Sequence, residues 1–263
     1  MSDLAEIQSR VDRERAAHTE DDVLARSYEL KGRFPHVLTY PSHKRLNEAF
    51  ERIGGDVKDK KVLDLGCGNG ERSLQLLKAG AIVTGIDISS VYVAHAADEA
   101  RAAGFDDSRF SFMEMDAHKL TFAEGTFDLV VGEGILHHLD LKVSTDEINR
   151  VLKPNGRAVF KEPLLANPFL KVFRAMTPDA RTEDERPLSP EDLRQFAENP
   201  RWKVESLYCG LLEAPMAVAT SLALRPFPNN WLLSAADVCE RSLAKVGWLH
   251  PMHQYVLLNL VKR

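Results

Sequence analysis

Short apolar runs alternate with amphipathic stretches through the middle of the chain. Lys61–Leu65, Ile82–Ile86, Phe110–Met115, Phe127–Gly132 and Arg157–Lys161 read as five strands. Helical spacing fills about 70–79, 89–103 and 144–152, with stops at Gly80, Gly104 and the Pro154-Asn-Gly156 turn. Strands that alternate with helices of this length predict βαβ units and a largely parallel sheet covered on both faces. Upstream, residues 4–17 predict a charged helix. Thr19 and Asp22 mark a capping box for a helix over about 20–31, Phe34–Pro41 reads as an ordered loop, and a helix follows over about 42–53.

After Glu162-Pro163 the rhythm changes. Four prolines between 163 and 187 and the cluster Arg181-Thr-Glu-Asp-Glu-Arg186 predict a long excursion with one helix near 168–176. Ser189-Pro190-Glu191-Asp192 is a strong helix start. Trp202–Tyr208 reads as a sixth strand, 212–225 and 230–246 as apolar-faced helices, and Gln254–Val261 as a final strand. The expected organisation is a helical N-terminal lid (1–55), a Rossmann-like core (56–163), a cap segment (164–200) and C-terminal strands completing the sheet (201–263), with helices inserted at 211–250. The fold class is therefore α/β, a doubly wound, seven-stranded, mostly parallel sheet with a helical lid and helical cap insertions.

Composition narrows the classes. The 263 residues are 44% apolar and 28% charged, with a net charge of −5. No basic stripe suited to nucleic acid is visible. Cys67, Cys209 and Cys239 are too scattered for a disulfide framework or metal cluster. The polar N-terminus lacks a signal-peptide core, and no run approaches a membrane span. A cytoplasmic protein without a membrane span is expected.

The sharpest chemical signal is Val62-Leu-Asp-Leu-Gly-Cys-Gly-Asn-Gly70. A strand enters three glycines at alternate positions and a helix follows. Gly66, Gly68 and Gly70 let backbone approach a ligand where side chains would collide, and the helix start presents unpaired N–H groups. The spacing is GxGxG, not the GxGxxG of a dinucleotide fold. Asp87 closes the second strand, where it can accept both hydroxyls of a ribose. Asp116 follows the third strand in place for an adenine amino group, with the Ala117 N–H toward the ring.

VLDLGCGNG, GIDIS (85–89), MDAH (115–118), FDLVVGEGILHHL (127–139) and LKPNG (152–156) together resemble, in order and spacing, the successive motifs of class I methyltransferases that use S-adenosylmethionine (SAM). The resemblance covers about 57–163. It implies that Asp64 orients the donor through the glycine turn of Gly66, Cys67, Gly68 and Asn69, that Gly66 and Gly68 line the methionine portion, and that Asp87 holds the ribose. Ile88 would pack on adenine, Asp116 bind its amino group, and Glu133 and Gly134 lie near the reacting end. The product would be S-adenosylhomocysteine. The cap more loosely resembles bacterial small-molecule methyltransferases of the ubiquinone and menaquinone type.

Methyl transfer from an activated sulfonium needs an in-line nucleophile, and a base only if the acceptor must lose a proton. His138 and Glu162 are the candidates for that role, and no metal is expected. His137 reads as structural. His18, Tyr28, His36 and Tyr40 are candidates for the lid. Phe169, Phe173, Met176, Leu211, Met216, Phe227, Trp231 and Trp248 could line an apolar acceptor pocket. Arg181, Glu183, Asp184 and Glu185 read as a solvated network. The expected partner is a small aromatic or isoprenoid-like metabolite methylated at oxygen or carbon. A homodimer through helices 212–225 and 230–246 is an open expectation. Alternatives are methylation of a protein or nucleic acid, a non-catalytic SAM-binding module, and, least, a NAD-linked oxidoreductase.

Overall fold

The computed structural model describes residues 4–18, 39–168, 186–223 and 230–263. The chain begins with helix α1 (Leu4–His18) and helix α2 (Pro41–Gly54). The sheet then opens with β1 (Lys61–Leu65), α3 (Glu71–Lys78), β2 (Ile82–Asp87), α4 (Ser90–Ala102), β3 (Phe110–Glu114) and β4 (Phe127–Glu133). It continues with α5 (Leu141–Val151), β5 (Leu152–Pro163), α6 (Pro190–Glu198), β6 (Trp202–Cys209), α7 (Glu213–Ala223), α8 (Trp231–Leu243) and β7 (Tyr255–Lys262).

The seven strands form one sheet in the order β3-β2-β1-β4-β5-β7-β6. β1 to β5 run parallel, while β7 runs antiparallel to both neighbours. This is the doubly wound sheet the alternation predicts. The order reverses at β1, so a crevice opens beyond the carboxyl ends of β1 and β4. Period-two alternation divides the core. Val62, Val131, Val159 and Leu257 face one layer with Leu46, Phe50, Leu76 and Leu77. Leu63, Val130, Phe160 and Leu258 face the other with Ile148, Val151, Phe196 and Trp202. Successive strand side chains point to opposite faces, and each of these runs is buried on both.

Several boundaries differ from the reading of the sequence. Helix α5 starts a turn before Ser144 because Asp140 caps it, its Oδ1 accepting the Val143 N–H at 3.0 Å. β5 starts at Leu152 rather than Arg157. Phe127 pairs with Leu152 and Leu129 with Arg157, so residues 153–156 loop out opposite Asp128. Asn155 takes a left-handed φ of 60° there. Of the segment 1–55, α2 belongs to the flank of the sheet. Its Leu46, Ala49 and Phe50 are core, and Tyr40, read as a lid residue, is wholly buried with its hydroxyl donating to Gln254 Oε1. The helix expected over 20–31, all but the first residue of the one expected over 168–176, the Thr19–Asp22 box and most of the 34–41 loop lie outside the described residues.

Gly85, mid-way along β2, has no room for a side chain. A Cβ there would sit 2.4 Å from the Phe112 ring of β3 and 3.1 Å from Cys67 Sγ. Among the described residues, no helix is long and apolar enough to cross a membrane.

Candidate functional site

The glycine turn follows β1 directly. The Cys67 N–H donates to the Ile86 carbonyl at 2.9 Å, which lays the turn across the end of β2. Gly66, Gly68 and Gly70 have φ values of 69°, 49° and 84°, in the left-handed region that favours glycine. They serve different ends. A Cβ on Gly66 would strike Ile135 at 2.7 Å and one on Gly70 would strike Ala96 at 2.8 Å, whereas one on Gly68 would meet nothing within 4 Å. The first and third glycines thus permit close packing. The middle one faces open space, as a turn that admits a ligand must.

Asp64 is almost wholly buried and accepts from Ser73 Oγ at 2.6 Å. Burial outweighs that bond and pushes its carboxyl up to about 6. It ties β1 to helix α3 from behind the turn. Asp87 instead lines the cleft. Its Oδ2 accepts the Gly68 N–H at 2.9 Å and its Oδ1 the Ser89 N–H at 3.0 Å. These two bonds hold the carboxylate at the cleft lining, where hydroxyls of a ligand can donate to it.

The cleft runs from Asp87 and Ile88 past Met115, Asp116, Ala117 and His118 of the loop after β3. Its other wall is Gly134, Ile135, His138 and Leu139 of the turn after β4. Asp116 Oδ1 accepts from the His118 N–H at 2.9 Å and bonds His118 Nδ1 at 2.7 Å. Burial would raise this carboxyl, but the His118 bonds prevail and hold it below the usual range. Helix α1 lies over the cleft through Val11 and Glu14. Arg10 donates to the His137 carbonyl at 3.1 Å, Glu14 pairs with His138 at 3.2 Å, and Arg15 pairs with Glu114 at 3.3 Å. The helix is thereby fastened to both walls.

Two expectations about the chemistry need correction. Glu162, read as a base on the rim, is fully buried behind the turn after β4. Its Oε1 accepts the Ile135 and Leu136 N–H groups at 3.0 and 2.9 Å, and its Oε2 bonds His137 Nδ1 at 2.7 Å. It braces the wall of the cleft and does not line it. Trp231 and Trp248, read as pocket lining, are 75% and 77% exposed. Met216 packs against the core, and Leu211 is half-buried at the start of α7. Phe169, Phe173, Met176, Phe227, Tyr28, His36, Arg181, Glu183, Asp184 and Glu185 lie outside the described residues, as does the His18 side chain.

Gly66, Asp87, Ile88, Asp116, Ala117, Gly134 and His138 do converge on one cleft. Cys67 is buried beneath the turn, and burial raises its thiol well above the ordinary value. Gly68 and Asn69 sit on the turn beside the cleft. Glu133 is paired with Lys161 and with Arg72, at 3.4 Å, and Lys161 also donates to Asn47 Oδ1 at 2.8 Å. Burial would raise the Glu133 carboxyl, yet the two cations hold it low. Reading by motif passed over Val11, Glu14, Tyr92 and His118, all of which line the cleft. His118 lay inside MDAH, but nothing in the pattern marks α1 as a cover.

Residues 63–160 match the family model described as a methyltransferase domain. The matched region is a methyltransferase domain. The sheet has the class I methyltransferase arrangement. The domain is 39% identical over 107 residues to 27-O-demethylrifamycin SV methyltransferase of Amycolatopsis mediterranei, covering 40% of this chain and 39% of that one. It is 32% identical over 148 residues to demethylmenaquinone methyltransferase of Staphylococcus aureus, covering 55% and 59%. The matches therefore span less than two thirds of these relatives. In fold, the chain is similar to the crystal structure of geranyl diphosphate C-methyltransferase from Streptomyces coelicolor A3(2), with a TM-score of 0.59 at 18% identity over 84% of this chain and 77% of that one.

Proposed function

We propose that this chain transfers a methyl group from SAM to a small acceptor, an aromatic or isoprenoid-like metabolite methylated at oxygen or carbon, leaving S-adenosylhomocysteine. The observation that carries the reading is Asp87. It stands at the end of β2 on the lining of the cleft, with both oxygens anchored by backbone N–H groups, next to a glycine with open space before it. The relatives named for demethylrifamycin and demethylmenaquinone support the choice of a small organic acceptor.

In this reading Asp87 accepts the ribose hydroxyls, Ile88 and Ala117 flank the adenine, and Asp116 accepts from its amino group. Gly66, Gly68 and Gly134 leave room for the methionine portion, with Glu133 near its charged end. SAM supplies a methyl group on a positively charged sulfur, already activated for transfer. The chain must therefore orient the reactants and exclude water, and α1 with Val11 shields the cleft. Where the acceptor has a proton to lose, His138 takes it. Its ring lines the cleft and Glu14 orients it. The three free cysteines fit a reducing, cytoplasmic setting. The exposed apolar face of Trp231 and Val238 on α8 suits a homodimer, which sedimentation would show.

Calorimetry with S-adenosylhomocysteine tests the core of this proposal. Wild type should bind, and Asp87→Ala should lose at least tenfold in affinity, since a charge-assisted hydrogen bond contributes about 1.5–3 kcal/mol. Methyl-labelled SAM offered with a panel of hydroxylated aromatic and prenylated metabolites should then label one class of product. NAD binding in place of S-adenosylhomocysteine would reject the reading.

A further inference from the structure

His118 is 9% exposed and reaches three places at once. It lines the cleft, its Nδ1 bonds Asp116 Oδ1 at 2.7 Å, and its Nε2 accepts the Asp140 backbone N–H at 2.9 Å. Asp140 N is a donor with no alternative, so Nε2 must carry the lone pair. Nδ1 then carries the proton and donates it to Asp116. One backbone N–H thus fixes the tautomer, and the tautomer fixes the carboxylate. The His118 backbone N–H donates to the same Oδ1, at 2.9 Å. Both bonds load one oxygen, and among the described residues none donates to Oδ2. Asp140 is itself the cap of α5. The chain of bonds therefore runs from the start of that helix, through one imidazole, to an acid on the cleft wall.

We infer that His118 is a positioning residue for nucleobase selection, holding Asp116 with one oxygen saturated and the other presented to a hydrogen-bond donor on the base. The inference rests on the proposed use of Asp116 toward adenine and names the residue that enforces it. A base with an exocyclic amino group donates to such an acceptor. A base with a carbonyl at that place sets oxygen against oxygen and is rejected.

The two nitrogens of His118 can be separated by substitution. An asparagine side chain reaches the place of Nδ1 and a glutamine side chain that of Nε2. Binding of S-adenosylhomocysteine and of its 6-oxo analogue, S-inosylhomocysteine, is measured by calorimetry for wild type, His118→Asn and His118→Gln. Wild type should prefer the amino compound by at least tenfold. His118→Asn, which retains a donor to Asp116, should keep most of that preference. His118→Gln should lose it, with the ratio falling below about threefold, while thermal melting shows the variant folded. Equal preference in wild type and His118→Gln would overturn the inference, as would a loss confined to His118→Asn. If His118→Gln does not fold, the wild-type to His118→Asn comparison decides, since a collapse of the ratio in the asparagine variant contradicts the role of Nδ1. Wild type that binds neither compound would instead remove the proposed function on which the inference stands.

Discussion

The two halves of the sheet use buried and half-buried acids in opposite ways. On the β1–β4 side, Asp64 is buried, but Asp87 and Asp116 look into the cleft, held by Ser89 and His118 two residues on, with Gly68 also donating to Asp87. On the β5–β7 side, Glu162, Glu213 and Glu240 are sealed from solvent and accept from backbone N–H groups 26 or more residues away. The first kind is local and directed at a ligand. The second joins distant segments and is directed inward. A carboxylate near a strand end is thus no evidence of catalysis until its oxygens are accounted for.

The sharpest way to break this comparison is Glu240→Ala. Glu240 accepts from the N–H groups of Leu211 and Leu212 at 2.8 Å, with Glu213 at 3.4 Å, at the head of α7. Its loss strands buried donors at about 1–3 kcal/mol each. Unfolding in denaturant should show a loss of roughly 3 kcal/mol or more, while affinity for S-adenosylhomocysteine stays within about twofold. A large fall in affinity with no loss of stability would place Glu240 in the site. Next comes Glu162→Gln. It keeps one oxygen for Ile135 and Leu136 but sets an amide against His137. Affinity and turnover should both fall about fivefold, with the pH–rate profile keeping its shape. Disappearance of one limb of that profile would restore Glu162 as a base.

A smaller effect is expected from Glu213. Burial pushes its carboxyl up to about 7 against the opposing bond from Ser42. The folded state therefore holds its proton more tightly than the unfolded chain does. The resulting stability is full below about 4.5 and is lost as pH rises through 7. Asp64, raised to about 6, behaves likewise at lower pH. Relative to Glu213→Gln, wild type should lose about 1 kcal/mol between pH 6 and pH 8. A difference independent of pH would show that this carboxyl does not titrate there. The smallest effect belongs to Trp248→Ser. With the ring 77% exposed, stability should change by less than about 0.5 kcal/mol, and the acceptor KM should not move.

The same contrast explains what could be read in the sequence. The strand and helix order was legible because burial on both faces leaves unbroken apolar runs, and glycines end the helices. Gly66, Asp87 and Asp116 were legible as cleft candidates because their places after strands follow from local pattern, while Gly134 came from the resemblance to methyltransferase motifs. Glu162 was misjudged because its partners lie 25 to 27 residues away, in a turn whose geometry no periodicity encodes. Trp231 and Trp248 misled because an aromatic residue reads as buried unless the face it occupies is known. The cover formed by α1 had no local signature either, since Arg10, Glu14 and Arg15 look like any charged helix until the walls they fasten to are in view.

Gly85 couples what look like separate parts. Its bare backbone receives the Phe112 ring from the outermost strand on that side and lies against the sulfur of Cys67 beneath the glycine turn. A single added methyl would push on both at once, shifting the ribose-side floor and the edge that leads to Asp116. The edge strand and the glycine turn thus close on the same bare backbone position, which only glycine can occupy without displacing one or the other.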